Sequence, residues 1–277
     1  MGAAIDIRGL RKVYRVGDQK IVALNTIDLR IEEGEVCCLL GTSGSGKSTL
    51  LNMMAGLEKP TKGQIIVMNK HVEKMTEDEL ALFRQKHVGF IFQSYNLFPS
   101  LTALENVTMP LIFRKVPAKK REQIGKKMLK AVGLAKYHNR KPNQMSGGQQ
   151  QRIGIARAFV GKQSIIFADE PTGNLDSRTT VEIMKLMLGM VRENKQTLII
   201  VTHDRSIAQY ADRIVYILDG NIENIELNEN KIVFSEGETS NLGDEPAEAS
   251  VKSDEPSDSP ETSENQVNKQ ESINQEQ

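Results

Sequence analysis

The chain has 277 residues, 39% of them hydrophobic and 26% charged, and its 36 basic and 36 acidic side chains cancel to a formal net charge of zero. That length admits one large domain or two small ones, and the charged fraction is ordinary for a soluble protein. Its longest apolar runs, such as Val36–Leu40 and Leu198–Val201, are far shorter than the about 20 residues a membrane-spanning helix needs, and there is no tryptophan to form an interfacial belt.

The opening "MGAAIDIRGL" lacks a basic segment followed by an apolar core, so no signal peptide is expected and the cytoplasm is the expected compartment. "AAIDIRGLRKVYRV" and "VALNTIDLRIEEGE" place apolar residues near period two, which predicts two strands of an antiparallel patch. Val36–Leu40 reads as a strand buried on both faces. Within it Cys37 and Cys38 are adjacent, which suits neither a disulfide nor spaced metal ligands; both are expected to be small buried residues. "GTSGSGKST" follows, and "STLLNMMAGLE" predicts a helix stopping at Gly56. "GQIIVMN" is a further strand, and Thr76-x-x-Glu79 is the capping box of a short helix. "VGFIFQ" predicts a buried strand ending at Gln93.

From Ser94 the pattern becomes helical. "LTALENVTMPLIF" and "AKKREQIGKKMLKAVGL" predict two helices, the second basic on one face and stopping at Gly133. "SIIFADE" and "TLIIVTHD" are buried strands that end in polar residues. Between them, Val181, Met184, Leu188 and Val191 fall on one stripe of a helix near Thr179 to Glu193, whose methionines read as core filler. "RIVYILDGNIENIEL" predicts a hairpin around Asp219–Gly220. No repeat of solenoid period is present.

Chemistry-bearing residues follow the buried strands, the edge where open α/β sheets bind ligands. Gly41-x-x-x-x-Gly46-Lys47-Ser48 between a strand and a helix is a complete phosphate loop. Gly41, Thr42, Ser43, Gly44, Ser45, Gly46, Lys47, Ser48 and Thr49 therefore form the expected nucleotide cradle. Its N–H groups and the helix N-terminus favour an anion. Lys47 reaches the terminal phosphates and Ser48 ligates Mg²⁺. Asp169 at a strand tip is placed to hold the metal, and Glu170 beside it to accept a proton from an attacking water. Gln93 is read as a ligand of the metal or of that water, and His203 as a contact of the γ-phosphate. Tyr14 offers a ring to stack on adenine.

"MSGGQQQR" is a second, incomplete anion site. Ser146, Gly147, Gly148 and Gln149 open an amphipathic helix with exposed N–H groups and no lysine. The stretch follows the helical insertion, which projects away from the phosphate loop, so a second copy of the chain is expected to bring it to the first copy's ATP. The incomplete site is then half of a shared one.

These motifs, with "IIFADEPTGNLD" and "VTHD", occur in the order and spacing of an ABC-type ATPase, and the chain from Ile5 to about Leu227 resembles that family. "YRVGDQKIVALNTIDLRIEEGE", "SYNLFPSLTALENVTMPLIF" and "KPNQMSGGQQQR" are most similar to its macrolide-exporter and lipoprotein-releasing branch. The resemblance implies an α/β fold of the P-loop NTPase type: a RecA-like core with an antiparallel β subdomain and an inserted helical subdomain at about 94–160. It implies ATP and Mg²⁺ as cofactors, Tyr14 on adenine, Glu170 as base, His203 on the γ-phosphate, and Asp176 linking the two sites across a homodimer. Thr42 stands where proline is usual and Met145 where leucine is usual; neither removes a donor or a carboxylate.

The expected protein is an ATP-hydrolysing subunit that dimerises on ATP and drives a separate membrane permease, docked near Gln93 to Phe113 and held peripherally at the cytoplasmic face of the membrane. The alternative is a regulatory ATPase of the cell-division type that signals through a membrane partner without transport. A DNA-repair ATPase would carry long heptad segments, which are absent, and a phosphate-loop kinase would leave the Ser-Gly-Gly helix start unexplained; no nucleic-acid partner is expected. Residues 1–228 are the expected ATPase domain and 229–277 an acidic tail. Ser235–Gln277 holds twelve acidic residues against two lysines, so it is about −10 and the rest about +10. With few large apolar residues the tail is expected to be disordered, an appendage or an electrostatic leash on a basic partner or on this protein's own basic face.

Overall fold

The computed structural model describes residues 2–234; the reading of the acidic tail as disordered lies outside the described residues. Ten strands and seven α-helices follow one another there, besides short 3₁₀ turns: β1 (Ala3–Val16), β2 (Gln19–Glu32), β3 (Val36–Leu40), α1 (Lys47–Met54), β4 (Lys62–Val67), β5 (Lys70–His71), α2 (Glu77–His87) and β6 (Val88–Phe92). Then come α3 (Ala103–Phe113), α4 (Ala118–Ala131), α5 (Gly147–Phe159), β7 (Ile165–Asp169), α6 (Ser177–Glu193), β8 (Thr197–Thr202), α7 (Arg205–Ala208), β9 (Arg213–Leu218) and β10 (Asn221–Leu227).

Two sheets form. One is antiparallel, in the order β2-β1-β4-β5; the other has the order β10-β9-β3-β8-β7-β6. In the second sheet β9, β3, β8, β7 and β6 run parallel, and β10 is antiparallel to β9. A parallel strand needs cover on both faces, and β3 supplies side chains to both: Cys37 and Leu39 enter one apolar core, Val36, Cys38 and Leu40 the other. Both cysteines are buried and unbridged. The first core packs α1 and the antiparallel sheet; the second packs α3, α5 and α6.

Local chemistry fixes where these elements begin and end. Thr76 caps α2 and Thr102 caps α3, each with a reciprocal Glu three residues on. Gly56 (φ +67°) and Gly133 (φ +78°) turn the chain out of α1 and α4 in the left-handed conformation that suits glycine. Asp219 (φ +47°) and Gly220 (φ +74°) make the two-residue turn between β9 and β10.

Two sequence readings need revision. The strand read to Gln93 ends at Phe92. Val181 is not on the buried stripe of α6 but 44% exposed. It lies about 120° around the helix from Met187, the centre of the buried arc; Met184, Met187, Leu188, Met190 and Val191 do fill the core. Past the last strand the chain stays attached. Asn228 N–H donates to the Asp212 carbonyl, Ile232 N–H to that of Gln209, and Phe234 stacks on Tyr210 with ring centres 5.5 Å apart. No helix among the described residues is long and apolar enough to cross a membrane.

Candidate functional site

The parallel register sets the site. Leu40 pairs with Thr202, Asp169 with Val201, and Phe92 with Asp169, so β3, β8, β7 and β6 end at nearly one level. The next residues out are Gly41, His203, Glu170 and Gln93, and all four line one cavity of about 860 Å³ with Thr42, Lys47, Ser48 and Asp169. Residues read from four separate stretches of sequence are thus brought together.

The loop from Gly41 to Gly46 closes over the start of α1. A Cβ on Gly41 would lie 2.1 Å from the Ile217 carbonyl, and one on Gly46 2.6 Å from that of Ala23. Gly46 is also the N-cap of α1 at φ +102°, where an L side chain is strained. The Ser45 carbonyl accepts from Gly220 N–H at 2.9 Å, fixing the loop to the β9–β10 turn. Lys47 Nζ donates back to the carbonyls of Gly41 (2.9 Å) and Thr42 (2.7 Å). Burial lowers its pKa, against the pull of Glu170 and Asp169. Ser43, Gly44 and Thr49 complete the rim.

The acids face this cradle. Burial, and then the neighbouring Glu170 charge, raises the Asp169 pKa. Its Oδ1 stands 3.5 Å from Ser48 Oγ. A hydroxyl and a single carboxylate are hard oxygen donors of the kind Mg²⁺ takes beside substrate phosphates. Among the described residues no cluster of three or more His, Cys, Asp or Glu could hold a metal with protein ligands alone. The donor set therefore fits a cation shared with a phosphate.

Glu170 sits at φ +46°, with its N–H donating to the Val201 carbonyl at 2.8 Å. Such a left-handed non-glycine residue is strained, and strain of this kind gathers at functional sites. Its carboxylate accepts three hydrogen bonds: from Thr202 Oγ1 at 2.9 Å, and from His203 N–H at 3.1 Å and Nδ1 at 2.7 Å. A carboxylate only accepts, so Nδ1 carries the proton and Nε2 is turned to other partners. The sequence pointed to Glu170 and His203 separately; their mutual bond, and Thr202 as its third member, appear only in three dimensions. Gln93 lies across Gly173, where a Cβ would come 2.7 Å from its Nε2, and its carbonyl accepts from Asn174. Arg205, Tyr216 and Glu223 also line the cavity, without a sequence signal of their own.

Three groups of expected residues stand outside this cavity. Tyr14 is on β1, where its phenol donates to Glu58 at 2.6 Å and Lys12 Nζ lies 4.9 Å from the ring centre. Ser146 is the N-cap of α5, in a reciprocal box with Gln149. Gly147 and Gly148 are pressed against the Tyr95 hydroxyl and Thr179 Cγ2, where a Cβ would come within 2.9 Å. Asp176 caps α6 by accepting from Thr179 N–H and Oγ1. None of these residues lines the phosphate cavity of its own chain.

Residues 24–173 match the family profile described as ABC transporter. The chain belongs to the ABC transporter ATPase family. An ATP-binding protein of Methanocaldococcus jannaschii, MJ0796, is 44% identical over 226 residues, covering 80% of this chain and 96% of that protein. A solved dimeric structure of MJ0796, described as a post-hydrolysis state bound to ADP and Pi, superposes with a TM-score of 0.76 at 42% identity, covering 81% of this chain and 99% of that one. The macrolide export ATP-binding/permease protein MacB of Rhodopseudomonas palustris is 44% identical over 219 residues. The match takes in 79% of this chain but only 33% of MacB, so the chain spans about a third of that relative. As an ABC ATPase of this MacB-like branch, the protein binds and hydrolyses ATP, and the cavity at the strand tips carries its phosphate loop.

Proposed function

We propose that two copies of this ABC ATPase close on two ATP molecules, each held by the phosphate loop of one copy and the Ser146–Gln149 helix start of the other. The observation that carries this reading is the division of the site: loop, acids and histidine share one cavity, while the Ser146–Gln149 cap lies outside it. The dimeric structures described for MJ0796 support it. Within the shared site Lys47 holds the terminal phosphates, and Ser48, Asp169 and Gln93 hold Mg²⁺ with them; bound there, the cation offsets phosphate charge. Glu170 accepts the proton of the attacking water, held in aim by His203 and Thr202. His203 Nε2 contacts the γ-phosphate, Tyr14 lies against the adenine, and Asp176 links the two sites.

The motion is delivered to a separate membrane permease, which would hold the protein peripherally at the cytoplasmic face of the membrane. An apolar groove of about 460 Å³ suits that docking. Leu82, Phe90, Phe92, Met109 and Phe113 line it, with Leu82 64% and Phe113 66% exposed. Its Phe92 is followed directly by Gln93, which lines the ATP cavity. The test is Ser146→Arg. Filling the helix start should abolish turnover yet leave nucleotide binding by the Lys47 loop intact, measured by fluorescent-ATP titration. Retained turnover would contradict the shared site.

A further inference from the structure

A second, larger groove shares no lining residue with the ATP cavity. It has a volume of about 1210 Å³ and lies between α4, the end of α5 and α6. Leu111, Ile124, Phe159, Leu186 and Met190 form its apolar floor. Lys127, Lys162, Lys185 and Arg192 stand on its rim against one acid, Glu193. Arg114 also lines it but turns its guanidinium to the Gln85 and Gly161 carbonyls.

The chain itself runs into this groove. Val233 and Phe234 are part of its wall, and Lys185 Nζ lies 5.7 Å from the Phe234 ring centre. The next eleven residues, Ser235 to Glu245, carry Glu236, Glu238, Asp244 and Glu245, no Lys or Arg, and one large apolar side chain, Leu242. Eleven residues reach at most about 36–40 Å, and in sequence they follow directly on Phe234, which lines the groove. A groove with an apolar floor and a cationic rim, entered by its own chain just before an acidic stretch with one leucine, is matched to that stretch in place, charge and polarity.

We propose that this groove is the docking site of the acidic segment 235–245 of the same chain. Docking there ties α4 to α6 through one covalently supplied strap. Because the groove is separate from the ATP cavity, the strap leaves basal hydrolysis untouched.

The test uses the full-length chain. A carbodiimide joins touching carboxylates and amines without a spacer, and mass spectrometry of a mixture of light and isotope-heavy chains separates links within one chain from links between two. The expected result is amide links from Glu236, Glu238, Asp244 or Glu245 to Lys127, Lys162 or Lys185, within one chain, weakening at 1 M salt as surface ion pairs do. A Lys127→Gln, Lys162→Gln, Lys185→Gln triple variant should open the Glu236 and Glu238 bonds to a glutamate-specific protease about threefold or more faster, since each exposed pair contributes modestly. Links spread evenly over the lysines of the protein, links predominantly between chains, or a cleavage rate unchanged in the triple variant would each overturn the proposal.

Discussion

Glu170→Gln separates catalysis from folding because the structure shows what the amide keeps. The carboxylate accepts from His203 N–H and Nδ1 through Oε1 and from Thr202 through Oε2. A glutamine carbonyl at the first position retains both His203 bonds. Its NH₂ at the second meets the Thr202 hydroxyl, which already accepts from Asp204 N–H and can accept again, losing one donor contact worth about 0.5–1.5 kcal/mol. Against this, removing the Glu170 charge relieves the neighbour that raises the Asp169 pKa. The melting temperature should therefore stay within about 6 °C, on the scale of 2–4 °C per kcal/mol for a domain of this size. The proton acceptor is gone, however, and general-base catalysis contributes typically 10²–10⁴-fold, about 2.7–5.4 kcal/mol of barrier. Phosphate release at saturating ATP should fall by at least about a hundredfold, with the affinity for ATP retained. A variant that turns over within about threefold of the parent would refute the assignment of Glu170 as base.

Other consequences follow from particular atoms. Gly46→Ala places a methyl 2.6 Å from the Ala23 carbonyl at φ +102°; thermal unfolding should show a loss of at least about 1–2 kcal/mol, and ATP binding should fail with it. His87, tilted against the Phe83 ring, has its pKa lowered by burial and by Lys70, Lys86 and Arg114. The unfolded chain then binds the proton more tightly than the native one, so stability is lost as pH falls through 6.5 toward the lowered native value. Melting temperatures from pH 7.5 down to pH 5 should fall more steeply for the parent than for His87→Leu; parallel curves would argue against this.

Much of this site was readable because its signals are local. A glycine loop between a buried strand and a helix, or a carboxylate pair after "SIIFA", needs no knowledge of distant contacts, and the Thr76 capping box and the Ser146 helix start are each spelled within four residues. What stayed hidden depends on pairing between distant segments. Nothing near Glu170 in sequence announces that Thr202 and His203 will hold its carboxylate; the β7–β8 register does that. Val181 fits an i, i+3 spacing with Met184, yet the direction of the core, set by α5 and the sheet, leaves it on the solvent side. Tyr14 has a rival partner in Glu58, supplied by the end of α1's following turn. The attachment of Ile232 and Phe234 to Gln209 and Tyr210 is carried by one backbone bond and one ring contact, too little to mark a sequence. The place of the Ser146 helix start is the clearest case: its capping chemistry is local, but its absence from its own chain's cavity is a property of the whole fold.

That division of labour between copies is tested most directly by the ATPase rate per chain as the protein is diluted, with sedimentation reporting the monomer fraction at each concentration. Mass action requires the rate per chain to fall in proportion to concentration once monomer dominates. A rate per chain that stays constant in a preparation shown to be monomeric would contradict the composite site.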